Sequence, residues 1–503
     1  MSTPLRTPAA VPDPVPAATT TAIATTTAIA TTTAIATTTA TAELPPAAAG
    51  GQHRGLLPVM LAATFMTALD VFIVNVALPS LQADLGAGAA AAQWTVAGFG
   101  LALAAGLVTA GRLGDRYGRR RVFALGLALF TAASAACGLA PAAGALVAAR
   151  VAQGASAALM GPQVLAVLRT AFTGAAQARA FAMYGLTMGV GAVLGQLVGG
   201  LLIRADLLGL GWRNCFLINL PVGLATLALV RRTVPESRAP QRPGLDPGGV
   251  ALLTAGLTAL VLPLIQGRET GWPLWTRLSL GASAVLLALF GAHQHRRRDR
   301  DPLVDTRLFR ERAFTVGILA QLAFWLGQAS FFLVLALYLQ QGRGLDALGS
   351  GLLFVSIGTG YLVTSTTAHL VAERLGRQAI ALGAVLMAAG LVLLELTAHG
   401  IGTTGGVWWL APALFLDGIG MGLVIAPVTA TVLAGVAPRL AGSAAGVIAT
   451  VQQVGGALGI ALIGLLFYGA GGAVSGFGHS VAALAVLELV LAGLVQLLPR
   501  RTA

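Results

Sequence analysis

Two charged side chains stand alone in long apolar stretches of this chain, and both are of a type that does chemistry in low-dielectric surroundings. Asp70 lies in the middle of the first such stretch and Arg150 within the fourth. Insertion scales put the cost of either at about 2.5–3.5 kcal/mol at a helix centre, which calls for a reason. A carboxylate so placed can take and release a proton at physiological pH. It can equally balance a cationic ligand, or be a structural acid held by neighbouring hydrogen bonds. Arginine keeps its proton, so Arg150 would hold a carboxylate or polarise a proton path. Gln153, three residues on, shares its helical face and can join the same network. Asp417 and Glu488 fall inside the twelfth and fourteenth stretches, and Glu395 near the end of the eleventh. Glu488 reads as a snorkelling or oligomer-contact acid, and Glu395 as one that reaches water. Phe324 and Trp325, in the ninth stretch, suit aromatic contact with an apolar ligand.

The elements that hold these residues follow from composition. Mean hydropathy is +0.83 and 10% of residues are charged, against about a quarter in soluble proteins. Fourteen apolar runs lie near 57–79, 93–112, 121–140, 144–166, 180–203, 213–231, 248–267, 277–295, 313–338, 348–370, 378–399, 407–431, 441–468 and 479–498. Runs of about 20 residues read as membrane-crossing helices, which satisfy their own backbone hydrogen bonds in lipid. The sequence therefore predicts an all-α polytopic membrane protein with fourteen transmembrane helices. The 65 glycines suit helices that pack closely in a bilayer. Gly191, Gly195, Gly199 and Gly200 present one such packing face in the fifth stretch. Most of the seven tryptophans, Trp212 among them, lie near span ends and read as interface anchors.

The net charge of +13 first suggests nucleic acid, but its placement does not. Every basic residue apart from histidine is arginine. With both termini cytoplasmic, all but Arg150 and five others fall on the cytoplasmic side; the five are Arg204, Arg213, Arg268, Arg277 and Arg343. That is the positive-inside asymmetry, and the basic loops face anionic lipid head groups. The two cysteines, Cys137 and Cys215, imply neither disulfide framework nor metal site. No cofactor or metal is expected, and a chain without lysine has no phosphate-binding Gly-Lys-Ser/Thr loop, so ATP is not its direct energy source. An enzyme is not expected. Residues 1–55, with Thr-Thr-Thr-Ala-Ile-Ala repeated from Thr19 to Ala36, read as a disordered cytoplasmic tail.

The chain also repeats itself. Gly111, Gly114, Asp115, Arg116, Gly118 and Arg119 form a charged, glycine-punctuated turn between the second and third stretches. Glu373, Arg374 and Arg377 form a weaker copy 258 residues later. Asp115 is expected to open the third helix, where an acid favours the positive end of the dipole. The arginines would pair with it and with helix ends of the other half, gating the cytoplasmic face. Gly191 to Gly200 aligns with Gly455 to Gly464, and Asp70 aligns with Gln328. The repeat divides the chain into a six-helix bundle over 56–232, a linker with two extra, peripheral helices over 233–312, and a second bundle over 313–503. Two parallel bundles so joined enclose a cavity at the midplane.

These features resemble the major facilitator superfamily, specifically its fourteen-span drug/proton antiporters. The resemblance is carried by Leu69 to Pro79 in the first span, Gly111 to Arg121, Arg150 to Ala158 in the fourth span, and Gly211 to Gly223 around the sixth. It covers roughly residues 56–498, and it implies that Asp417, on a helix bordering the gating interface, has a better claim to proton coupling than Glu488. It implies a proton-coupled secondary transporter in a bacterial cytoplasmic membrane, exporting hydrophobic or cationic drugs by alternating access, with small-molecule substrate and protons as partners; a monomer fits. One departure stands out: Gln196 follows Gly195 where the family's fifth-span motif carries a proline. An importer, or an exporter dedicated to one natural product, thus remains open. A non-transporting scaffold or sensor is the reading from another class, though a scaffold has no need of Asp70 and Arg150 together.

Overall fold

The computed structural model describes residues 55–499 apart from 239–243, 299, 301, 435 and 437–439. The predicted tail, save Gly55, lies outside the described residues. The described chain is helical, with 14 helices of 19 to 31 residues that are long and apolar enough to cross a membrane. At 1.5 Å per residue these reach roughly 28–46 Å, enough for a hydrocarbon core of about 30 Å.

The first bundle comprises α1 (Leu56–Leu85), α2 (Ala89–Tyr117), α3 (Arg119–Gly138), α4 (Ala143–Ala171), α5 (Gly174–Ala205) and α6 (Gly211–Thr233). The inserted pair is α7 (Pro247–Gln266) and α8 (Leu274–Arg296). The second bundle comprises α9 (Arg312–Leu337), α10 (Ala347–Ser365), α11 (Arg377–Ile401), α12 (Ala411–Ala434), α13 (Ala441–Gly469) and α14 (Ala473–Val495). Helix ends are fixed by local chemistry. Gly86 ends α1 in the left-handed region at φ 59°, its N–H bonded to the Gln82 carbonyl, a conformation glycine adopts without strain. Asp246 caps α7 by accepting from the Gly249 N–H, with Pro247 in the first turn, where a missing donor costs nothing.

Two seams join the bundles, α2 against α13 and α5 against α10. In the second, a Cβ at Gly200 would lie 2.5 Å from the Ala347 carbonyl oxygen, and one at Gly351 2.7 Å from that of Gln196. These backbones touch because nothing larger than hydrogen stands between them. Gly191, Gly195 and Gly199 instead face α1, against Ala68, Leu69 and Ile73. α5 runs unbroken through Gln196, in keeping with the missing proline.

One helix of the inserted pair departs from the expected peripheral placement. α8 does lie at the edge, with 11% of its membrane window buried. α7 packs on both α2 and α13 through buried Leu257, Val261 and Ile265. Its connection to α8 also supplies Glu269, whose carboxylate accepts the Ala90 N–H at 2.8 Å in the first turn of α2. An apolar face and an acid at a helix start together draw α7 onto the seam.

Candidate functional site

A central cavity of about 90 Å³ lies between the bundles, lined from α1, α2 and α4 on one side and α9 and α13 on the other. Its wall is aromatic and amide-rich: Phe72 and Asn75 of α1, Phe99 of α2, Trp325, Gln328 and Phe332 of α9, and Gln452 and Gln453 of α13. Arg150 is the charged residue in that wall among the described residues. Drug-sized pockets run to roughly 300–1,000 Å³, so this conformation is contracted around a site that must widen.

Arg150 is 1% exposed and Asp70 0%. Arg150 Nη1 donates to Asp70 Oδ2 at 2.6 Å and to Gln153 Oε1 at 2.7 Å, and its Nε donates to the Thr95 carbonyl at 2.9 Å. Asp70 Oδ1 accepts from Gln153 Nε2 and from Asn219 Nδ2, each at 2.8 Å. Ser134 Oγ accepts from Gln153 at 2.7 Å and from Asn219 at 3.2 Å. The guanidinium carbon lies 4.4 Å from the centre of the Phe99 ring. The network ties α1, α2, α3, α4 and α6 around one charge pair, with three donor bonds from Arg150 and three bonds accepted by Asp70, and such added hydrogen bonds are what make a buried ion pair tolerable. Asp70 does not reach the cavity wall. Its partner Arg150 does, so a change of charge on Asp70 is felt in the cavity through Arg150.

The second bundle answers with neutral groups. Gln328, at the repeat position of Asp70, is buried with neither amide atom hydrogen-bonded. Gln321 accepts from Trp325 Nε1 at 3.1 Å and from Gln452 Nε2 at 3.3 Å, and donates to Thr429 at 2.7 Å.

Several expected placements are corrected. Phe324 does not line the cavity: it is 0% exposed in the core of the second bundle, because one residue along a helix turns the side chain about 100° from Trp325. Asp417 lies outside the cavity too, buried where α12 meets Gly390 of α11, with neither carboxyl oxygen hydrogen-bonded. Glu488 is no surface acid; it is 2% exposed and faces Gly327 of α9. Trp212 is buried rather than anchoring at an interface, its indole N–H donating to Asp84 at 3.0 Å. Asp115 sits in the last turn of α2 and does not open α3. It pairs with Arg119 at 2.8 Å. The acid at the start of α3 is Glu236, from beyond α6, which accepts the Arg120 N–H at 3.1 Å and lies 3.6 Å from Arg121. Gly118 has φ 111°, and a Cβ there would meet Glu236 Oε1 at 2.5 Å. The turn is thus paired with the linker: Glu236 supplies the nearby acid, and Arg112 donates to the Gly244 and Pro302 carbonyls. Gly114 is needed where the Gln163 side chain crosses, and Gly111 lies near Pro162. Arg116 is exposed beside Tyr117. In the copy, Glu373 and Arg374 are exposed and make no ion pair among the described residues, while Arg377 donates to the Leu498 carbonyl.

Sequence reasoning missed Glu236, Ser134 and Thr95, and gave Asn75, Asn219 and Gln328 no role. Glu236 had a signal, an acid on the arginine-rich side just after the sixth span. A serine or threonine in an apolar run carries none.

Two helical bundles with a polar, partly charged cavity on their shared axis define a secondary-transporter fold. The sequence matches the Major Facilitator Superfamily model over residues 60–460, and the chain belongs to that family. It is 41% identical over 435 residues to a protein of Streptomyces coelicolor described as a probable actinorhodin transporter, covering 85% of this chain and 74% of that one. It is 37% identical to a puromycin resistance protein of Streptomyces alboniger, covering 82% of each. Among solved structures, a POT family transporter in complex with 5-aminolevulinic acid superposes with a TM-score of 0.67 at 17% identity, over 90% of this chain and 97% of that one; at that identity the likeness speaks for the fold.

Proposed function

We propose that this protein exports small organic molecules across the bacterial cytoplasmic membrane in exchange for protons, with Asp70 as the proton carrier and both termini in the cytoplasm. Export is supported by relatives named for antibiotic transport and resistance, and orientation by the arginine asymmetry of the loops. The observation that carries the coupling is the Arg150–Asp70 contact at 2.6 Å with Arg150, not Asp70, in the cavity wall. While Asp70 is ionised, the pair is neutral and the cavity accepts an apolar body. Protonation of Asp70 removes the counter-charge and leaves Arg150 an unpaired cation in the wall. That cation draws water and disfavours an apolar ligand. Proton and substrate then compete without sharing an atom, which is what exchange requires. Phe72, Phe99 and Trp325 contact the substrate, and Gln153 and Asn219 hold Asp70 in either charge state.

The 111–121 turn, with Glu236, serves as the gate on the arginine-rich face, and Glu373, Arg374 and Arg377 serve as its counterpart. Asp417 stays a candidate for a second proton site, away from the substrate. Inside-out vesicles provide the test. A pH gradient, acid inside, should drive dye accumulation that Asp70→Asn abolishes; undiminished gradient-driven accumulation in that variant contradicts the mechanism.

A further inference from the structure

We infer that the cavity takes an uncharged, flat aromatic molecule bearing hydroxyl and carbonyl groups, and that it disfavours organic cations. The inference rests on the export reading above and names the substrate of that same site. Among the described residues the wall holds one charged side chain, Arg150, and no carboxylate. Asp70 is behind it, its oxygens occupied by Arg150, Gln153 and Asn219. A permanent cation in the cavity would meet a guanidinium and find no acid of its own to pair with, a like-charge arrangement that low dielectric makes worse.

What the wall offers instead is neutral. Gln328 is 3% exposed and neither its Nε2 nor its Oε1 has a hydrogen-bond partner; Asn75 is 5% exposed and its Oδ1 has none. The two line the cavity from opposite bundles. A buried amide left unsatisfied is costly, and a ligand that completes it recovers that cost. A ligand hydroxyl can donate to Asn75 Oδ1, and a ligand carbonyl can accept from Gln328 Nε2. Between these amides the wall is aromatic: Phe72 and Phe332 meet edge to face across the two bundles at 5.5 Å, and Trp325 stands on the same side as Phe332. Such faces stack on a flat ring. Sites built to hydrogen-bond a ligand discriminate strongly against its analogue without the polar group, so the pattern specifies oxygenation as well as flatness.

The test is equilibrium dialysis of the purified full-length protein with three flat probes of similar size at neutral pH: a dihydroxyflavone, unsubstituted flavone, and ethidium. The dihydroxyflavone should bind at least about tenfold more tightly than ethidium. Asn75→Leu, which removes the acceptor for the ligand hydroxyl, should weaken the dihydroxyflavone about tenfold and flavone less than about twofold. Retained flavone binding shows that this variant is folded; if it is lost, Asn75→Ala takes its place under the same criteria. Ethidium binding as tight as the dihydroxyflavone overturns the inference, as does an equal loss for both flavones in the variant. Because binding needs no transport, the two readings separate. Gradient-driven accumulation of ethidium in inside-out vesicles would overturn the substrate class and leave export standing. The expected binding pattern without transport of any probe would do the reverse.

Discussion

A guanidinium and a carboxylate sealed inside a bundle are tolerable as a pair and costly apart. Removing one partner of such a pair typically costs about 3–5 kcal/mol, because the other charge is left buried and unbalanced. Asp70→Asn should therefore lower the thermal unfolding temperature of the purified protein. The double variant Asp70→Asn with Arg150→Gln, which removes both charges, should recover more than half of that loss; a double variant no more stable than the single would mean the pair is not the source. Both residues were legible in the sequence because lipid makes a lone charge conspicuous. Their surroundings were not. Ser134 and Thr95 look like any small polar residue in a glycine-rich helix, and the choice between Phe324 and Trp325 turned on a helical phase that an evenly apolar span does not reveal.

The elements matter through their ends and their points of closest approach. Fourteen helices were readable from run length, since a bilayer sets the length of anything that crosses it. Their contacts were less so, and α7 shows why: its apolar face is no different in composition from one that meets lipid. Its start is a single buried acid, Asp246, at the arginine-rich face. Burial opposes the charge on Asp246, but bonds from His293 at 2.8 Å, Gln294 at 2.9 Å and the Gly249 N–H outweigh it and hold the carboxyl below its ordinary pKa. A depressed pKa contributes stability that is complete above the unfolded value of about 3.9 and is lost as pH falls through the lower folded value. Wild-type protein should thus lose thermal stability below about pH 4 by more than Asp246→Ala does; parallel curves for the two would show that this cap contributes nothing. At the other seam, Gly351→Leu should block transport while leaving the protein in the membrane at wild-type abundance, since the side chain meets the Gln196 backbone and not the core of either bundle. Normal efflux by that variant would mean α5 and α10 do not need to approach this closely.

As a whole the molecule is two bundles joined along two seams and tied together again at one membrane face. Gln340 donates to the Val76 carbonyl and Gln341 to Gln82, each at 3.0 Å, at the ends of α9 and α1 on the arginine-poor side. On the arginine-rich side the 111–121 turn is paired with the linker, at Glu236 and at the Gly244 and Pro302 carbonyls. The repeat that foretold two bundles could not foretell which ends meet, because that depends on the state of the molecule. Cysteines at Gln82 and Gln341, oxidised together, should arrest efflux, and reduction should restore it; unimpaired efflux in the cross-linked protein would mean these ends do not separate during transport. Behind all of this stands the claim that the charge of Asp70, relayed through Arg150, decides whether the cavity accepts its ligand. The most direct measurement is substrate affinity of the purified protein from about pH 8 to about pH 5, wild type beside Asp70→Asn. Affinity of the wild type should fall on acidification, while the variant, lacking that charge, should bind weakly and equally across the range. A variant that keeps the wild-type affinity and the wild-type pH dependence would contradict the account.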